Sequence, residues 1–117
     1  GYESYDPPNM AVDAASADGV LRSASVAGWA ADYNLYSLDG SATEIAIRID
    51  SADHANLAAT LVTLASSGAV SASVTAVDLL TESTEQTIAV DASHDRAILV
   101  VFALSEGSFT YEHSALW

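Results

Sequence analysis

The feature that most restricts what this chain can fold into is a strict two-residue alternation, repeated in short runs. In "EIAIRID", Ile45, Ile47 and Ile49 fall on one side of an extended backbone and Glu44, Ala46, Arg48 and Asp50 on the other, which is the period of a half-buried strand. "VSASVTAV" repeats it with Val70, Ala72, Val74 and Ala76, and "SFTYEHSALW" with Phe109, Tyr111, His113, Ala115 and Trp117. "AILVVFAL", from Ala97 to Leu104, is apolar on both parities. That predicts a mid-sheet strand covered on both faces, with Val100 and Phe102 in the buried middle. From Val20 onward such segments are separated by Gly, Ser and Asp clusters every eight to twelve residues, the spacing of an all-β domain.

One segment reads two ways. In "SADHANLAATLVTLASSG", Ser51 suits a helix N-cap, Leu57, Leu61 and Leu64 share a helical face, and Gly68 suits the C′ position. Against this, Thr60, Val62 and Thr63 are β-branched and Leu57, Ala59 and Leu61 also alternate, so the strand is favoured. About eight short antiparallel strands follow, and a single jelly-roll-like β-sandwich gives them two inner faces. "GYESYDPPNM" has two Tyr, Pro7 and Pro8 and no periodicity, which predicts an extended N-terminal arm over 1–17 and the sandwich over 18–117.

Composition bounds the partners. Ala and Ser together make a third of the 117 residues, so closely packed layers are expected; sixteen Asp and Glu face only Arg22, Arg48 and Arg96, for a net charge of −13. Nucleic acid and anionic membrane surfaces are therefore excluded as expected partners, because both are held by Lys and Arg. Salt screens such self-repulsion, so stability is expected to rise with ionic strength. There is no cysteine, hence no disulfide framework and no thiol chemistry. The longest apolar run is the eight residues of "AILVVFAL", far short of the roughly 18 needed to span a bilayer, so no membrane insertion is expected. The chain opens on Gly1 without a basic and apolar leader, which reads as a processed, exported protein or an excised piece, extracellular or at a cell surface.

With the strands laid out, "ADYNLYSLDG" resembles the opening strand of the bacterial prepeptidase C-terminal domain, a small sandwich appended to secreted proteases and other exported proteins. Its usual run is Asp, any residue, Asp, aromatic, Tyr, Ser, apolar; Asp32, Tyr33, Asn34, Leu35, Tyr36, Ser37 and Leu38 occupy those places, with Asn34 and Leu35 departing from it. The likeness continues through "ATEIAIRID", "NLAATLVTLASSGAV" and "EQTIAVDASHDRAILVVFALSEGSFTYEHSAL", covering residues 18 to 116. "ASHDRA" stands where that family has a Gly turn. The resemblance implies a jelly-roll-like sandwich with an accessory or adhesive role and no active site.

Candidate chemistry is sparse. Asp32, Asn34 and Asp39 are close in sequence, and their oxygens suit calcium, the one cofactor the residues suggest; Asp50 and Asp53 form a second pair. Turn and strand-edge carboxylates capping local N–H groups account for the same residues. His54, His94 and His113 are scattered without the spacing of a zinc site and read as surface histidines. "SHD", Ser93 to Asp95, reads as a polar turn, since a triad is assembled in space and not from adjacent residues. No catalytic residue is expected.

Two functions compete. The first is a non-catalytic structural subunit of a filament, sheath, surface layer or coat, a homo-oligomer or polymer joined through an assembly arm of Tyr2, Tyr5, Pro7 and Pro8 with Trp117 at the other terminus. The second is an accessory or binding module of a secreted hydrolase, dependent on calcium, which predicts exposed aromatics clustered on one sheet face.

Overall fold

The computed structural model describes residues 14–38, 43–65, 71–80 and 84–117. Among these residues nine strands form in chain order: β1 (Ala15–Ser16), β2 (Arg22–Ala27), β3 (Ala31–Ser37), β4 (Glu44–Asp50), β5 (Leu57–Leu64), β6 (Ala72–Val77), β7 (Gln86–Ala89), β8 (Arg96–Ala103) and β9 (Ser108–Leu116). They make two sheets, of order β1-β3-β8-β5-β6 and β2-β9-β4-β7. β1 lies parallel on β3, and every other ladder is antiparallel. The pairs β5–β6, β4–β7, β3–β8 and β2–β9 are nested one inside the next. This is one long hairpin rolled across two layers, the jelly-roll arrangement.

The segment that reads two ways in sequence is a strand: a 3₁₀ turn over His54–Asn56 leads into β5, whose Leu57, Ala59, Leu61 and Thr63 are all buried. Ser51 caps no α-helix. Its Oγ donates to the Thr110 carbonyl and accepts from the Asp53 N–H, which fixes a turn as β4 ends.

The core lies between the sheets and is built by alternation. β4 contributes Ile45, Ile47 and Ile49, β8 contributes Ala97, Leu99, Val101 and Ala103, and β9 contributes Phe109, Tyr111 and Ala115. β8 is the middle strand of its sheet, as its sequence predicts, yet it is covered fully on one face only. Val100 is buried, but Phe102 is 38% exposed, which corrects the expectation that it belongs to the core: both lie on the outer parity, where Val100 has Tyr33 and Thr60 beside it in register and Phe102 has only Ala31 and Ala58. β6 is also reversed. Its apolar parity, Ala72, Val74 and Ala76, is exposed, and Val77 supplies the buried contact.

Gly28 opens the turn from β2 to β3. A Cβ there would lie 2.7 Å from the Ser105 carbonyl oxygen and 2.8 Å from Glu106 Cα, while the Gly28 N–H donates to the Gly107 carbonyl at 2.6 Å. Backbone cannot retreat as a side chain does, so Gly28→Ala is expected to cost about 1–3 kcal/mol in urea unfolding. A neutral result would mean that the β8–β9 turn moves away freely.

Candidate functional site

Three places carry side chains beyond what a plain sandwich needs. The first answers the Asp and Asn of "ADYNLYS". Alternation on β3 turns Asp32, Asn34 and Tyr36 inward, where they meet Tyr111 and His113 of β9 across the sandwich, at the margin next to β2. Tyr111 donates its hydroxyl to Asp32 Oδ2 at 2.5 Å and accepts from Asn34 Nδ2 at 2.7 Å; the same amide also donates to the Leu99 carbonyl at 3.2 Å. The Tyr36 hydroxyl shares a short hydrogen bond with His113 Nδ1, and the two rings meet edge to face, 5.8 Å between centroids.

Burial dominates the electrostatics of this cluster. It lowers the His113 pKa from 6.5 to about 4, with the nearby Arg22 guanidinium acting in the same sense. Burial likewise pushes the Tyr36 hydroxyl well above its ordinary value, and burial together with the bond to Asp32 does so for Tyr111. At neutral pH the histidine is neutral and both phenols keep their protons, so none of the three is poised to exchange one. The cluster ties two sheets together.

Of the candidate calcium ligands, Asp32 and Asn34 are thus engaged with one tyrosine hydroxyl, and Asp39 lies outside the described residues. Asp50 is held by Arg48 at 2.5 Å. Among the described residues no group of three or more His, Cys, Asp or Glu is placed to hold a metal ion. Of the assembly residues, Tyr2, Tyr5, Pro7 and Pro8 lie outside the described residues, while Trp117 packs half-buried against the core and donates its N–H to the Ala17 carbonyl.

The second place is His94, 2% exposed. With His113 it corrects the expectation of surface histidines; only His54 of the three is exposed. His94 Nδ1 is 2.9 Å from Thr63 Oγ1 and Nε2 is 2.9 Å from Ser71 Oγ. Three hydroxyl and imidazole groups in a row resemble a relay, but Thr63 supplies a neutral hydroxyl where an ionised carboxylate would stabilise an imidazolium, so Ser71 is little activated. Ser93 takes no part, its hydroxyl and N–H both going to Asp91 Oδ1. These partners for His94 come from strand β5 and from the residue before β6, and have no sequence signature.

The third place is the outside of the five-stranded sheet, which sequence reading misses because it places Val100 and Phe102 in the buried middle. Register aligns the outward positions in rows across the strands: Ala31, Phe102 and Ala58; Tyr33, Val100, Thr60 and Ala76; Leu35, Ile98, Val62 and Val74; Ser37, Arg96, Leu64 and Ala72. None of these is a carboxylate. Tyr33, Phe102 and Val74 are 41%, 38% and 70% exposed. Trp29 stands at the Phe102 end, 71% exposed and at φ 62°, a left-handed turn position usually filled by Gly or Asn. The outer positions of the four-stranded sheet are the reverse, with Ser23, Ser25, Thr110, Glu112, Ser114, Arg48, Asp50 and Glu44 among them.

No family model, curated protein or solved structure matches this chain. Among the described residues no helix is long and apolar enough to cross a membrane.

Proposed function

We propose that the chain is a non-catalytic structural subunit of an extracellular or surface assembly, with copies joined through the N-terminal arm. One observation carries this reading: of the two outer faces, one is polar and charged as a solvated face should be, and the other is mostly apolar, with Tyr33, Val74 and Phe102 exposed and no carboxylate among its paired outward positions. Antiparallel sheets normally alternate core and solvent faces, and exposed apolar side chains gathered on one outer face are what an interaction surface offers. In a chain of net charge −13, a carboxylate-free face is the place where like subunits meet with least repulsion. The arm fits the same picture, since residues 1–13 lead into β1 on the edge of that sheet.

Trp29, Tyr33 and Phe102 also favour a second reading, the accessory module of a secreted hydrolase, because exposed aromatics gathered at one end of a sheet stack on sugar rings. The rows beside them are aliphatic and offer only the Thr60 hydroxyl near the centre, whereas polysaccharide recognition needs polar groups around the aromatics to fix orientation. Electron microscopy and light scattering of the full chain in molar NaCl are expected to find ordered oligomers. Deleting Gly1 to Asn9 is expected to leave a folded protein that no longer polymerises. A full chain that stays monomeric at high concentration and salt, and is retained on an insoluble polysaccharide, would replace the first reading by the second.

A further inference from the structure

The outer face of the five-stranded sheet is graded. The two middle rows run from bulkier at β3 to smaller at β6, Tyr33 to Ala76 in one and Leu35 to Val74 in the next, and Phe102 stands beside Ala58 in the row that ends at β5; the end row, Ser37, Arg96, Leu64 and Ala72, is not graded. A second copy turned by 180° about an axis lying in the interface and parallel to the strands keeps each row in place and reverses its order. Tyr33 of one copy then lies over Ala76 of the other, Val100 over Thr60, Ile98 over Val62 and Phe102 over Ala58. The two large rings, Tyr33 and Phe102, each meet an alanine, twice over, as a self-complementary contact requires. The strands of the two stacked sheets stay nearly aligned, the common geometry of face-to-face sheets. Resting on the structural-subunit reading, we infer that this face is a two-fold contact between two copies of the chain.

Charge and area both bear on the occupant. Of the outward positions in the rows only Arg96 carries a charge; it sits in the end row and pairs with Asp95 at 3.7 Å, so two strongly acidic copies meet here without opposing carboxylates. Four strands about 4.8 Å apart and seven residues at about 3.4 Å each give a face of roughly 450 Å². Two such faces bury about 900 Å², the size of a weak, reversible pair. The pairing is therefore concentration-dependent and strengthens with salt, which screens the remaining repulsion.

The absence of cysteine makes the geometry testable directly. Within one copy, positions 33 and 76 are three strand spacings apart, about 14 Å, too far for a disulfide. The double variant Tyr33→Cys/Ala76→Cys is expected to form a covalent dimer with a short bifunctional thiol reagent, whereas Tyr33→Cys alone and Ala76→Cys alone are not. Both positions are exposed, so the fold should survive. In parallel, Val74→Asp/Phe102→Asp is expected to weaken dimerisation by about 100-fold or more, while Ser25→Asp/Thr87→Asp, the same charge on the other sheet's outer face, leaves it within a few-fold. Oligomers that persist without the crosslink and ignore Val74→Asp/Phe102→Asp would overturn the two-fold contact and leave the structural-subunit reading standing. Monomers under all salt conditions would overturn both. A monomeric full chain that dimerises only after residues 1–13 are removed would show that its own arm occupies the face, and would also overturn the pairing.

Discussion

Leu99→Ala is expected to lower stability by about 3–5 kcal/mol, while Phe102→Ala, three residues along the same strand, costs less than about 1.5 kcal/mol. Leu99 is fully buried on the inner parity of β8, flanked in register by Leu61 on β5 and Asn34 on β3. Truncating it leaves a cavity in a layer closed on every side, and that layer cannot collapse without moving two sheets. Phe102 is on the outer parity and already partly in water, so its loss removes less buried surface and encloses no void. Urea unfolding at low protein concentration, where association does not contribute, separates the two. Equal losses would mean that the outer face is covered within the monomer.

The second large effect is on acid stability. The folded pKa of His113, about 4, lies below its ordinary 6.5, so between those values the unfolded chain binds a proton that the native chain refuses. The contribution of His113 is therefore complete above pH 6.5 and is lost as pH falls toward 4, by about 3 kcal/mol at the lower end. Sixteen Asp and Glu lose self-repulsion over part of the same range, with the opposite sign. The difference between the native chain and His113→Gln isolates the histidine: it should be steep between pH 6.5 and 4 and flat above. A difference that does not change with pH would mean that the folded pKa stays near the ordinary 6.5, with burial offset within the fold.

Side-chain period alone determined much of this protein. Ile45, Ile47 and Ile49, and Phe109, Tyr111, His113 and Ala115, are buried where alternation places them, because a strand must turn successive side chains to opposite faces. Turn spacing supplied the all-β class and nearly the strand number, and β-branching decided the 57–64 segment against a helix. The periodicity of one strand says which residues share a face, not which face meets the other sheet. On β6 and β8 that choice depended on the partner layer: β6 turns Ala72, Val74 and Ala76 outward, and β8 buries Leu99 and Val101 while leaving Phe102 in water. The same limit explains the buried polar groups. Asp32 and Asn34 look like turn or ligand residues until β9 brings Tyr111 and His113 opposite them, and His94 looks like a surface residue until Thr63 and Ser71 close around it. Hydrogen bonds spanning 77 and 31 residues leave no local trace, since only the rolled hairpin joins their ends. Alternation is a property of the backbone and can be read in seven residues; burial is a property of two layers and exists only once they have met.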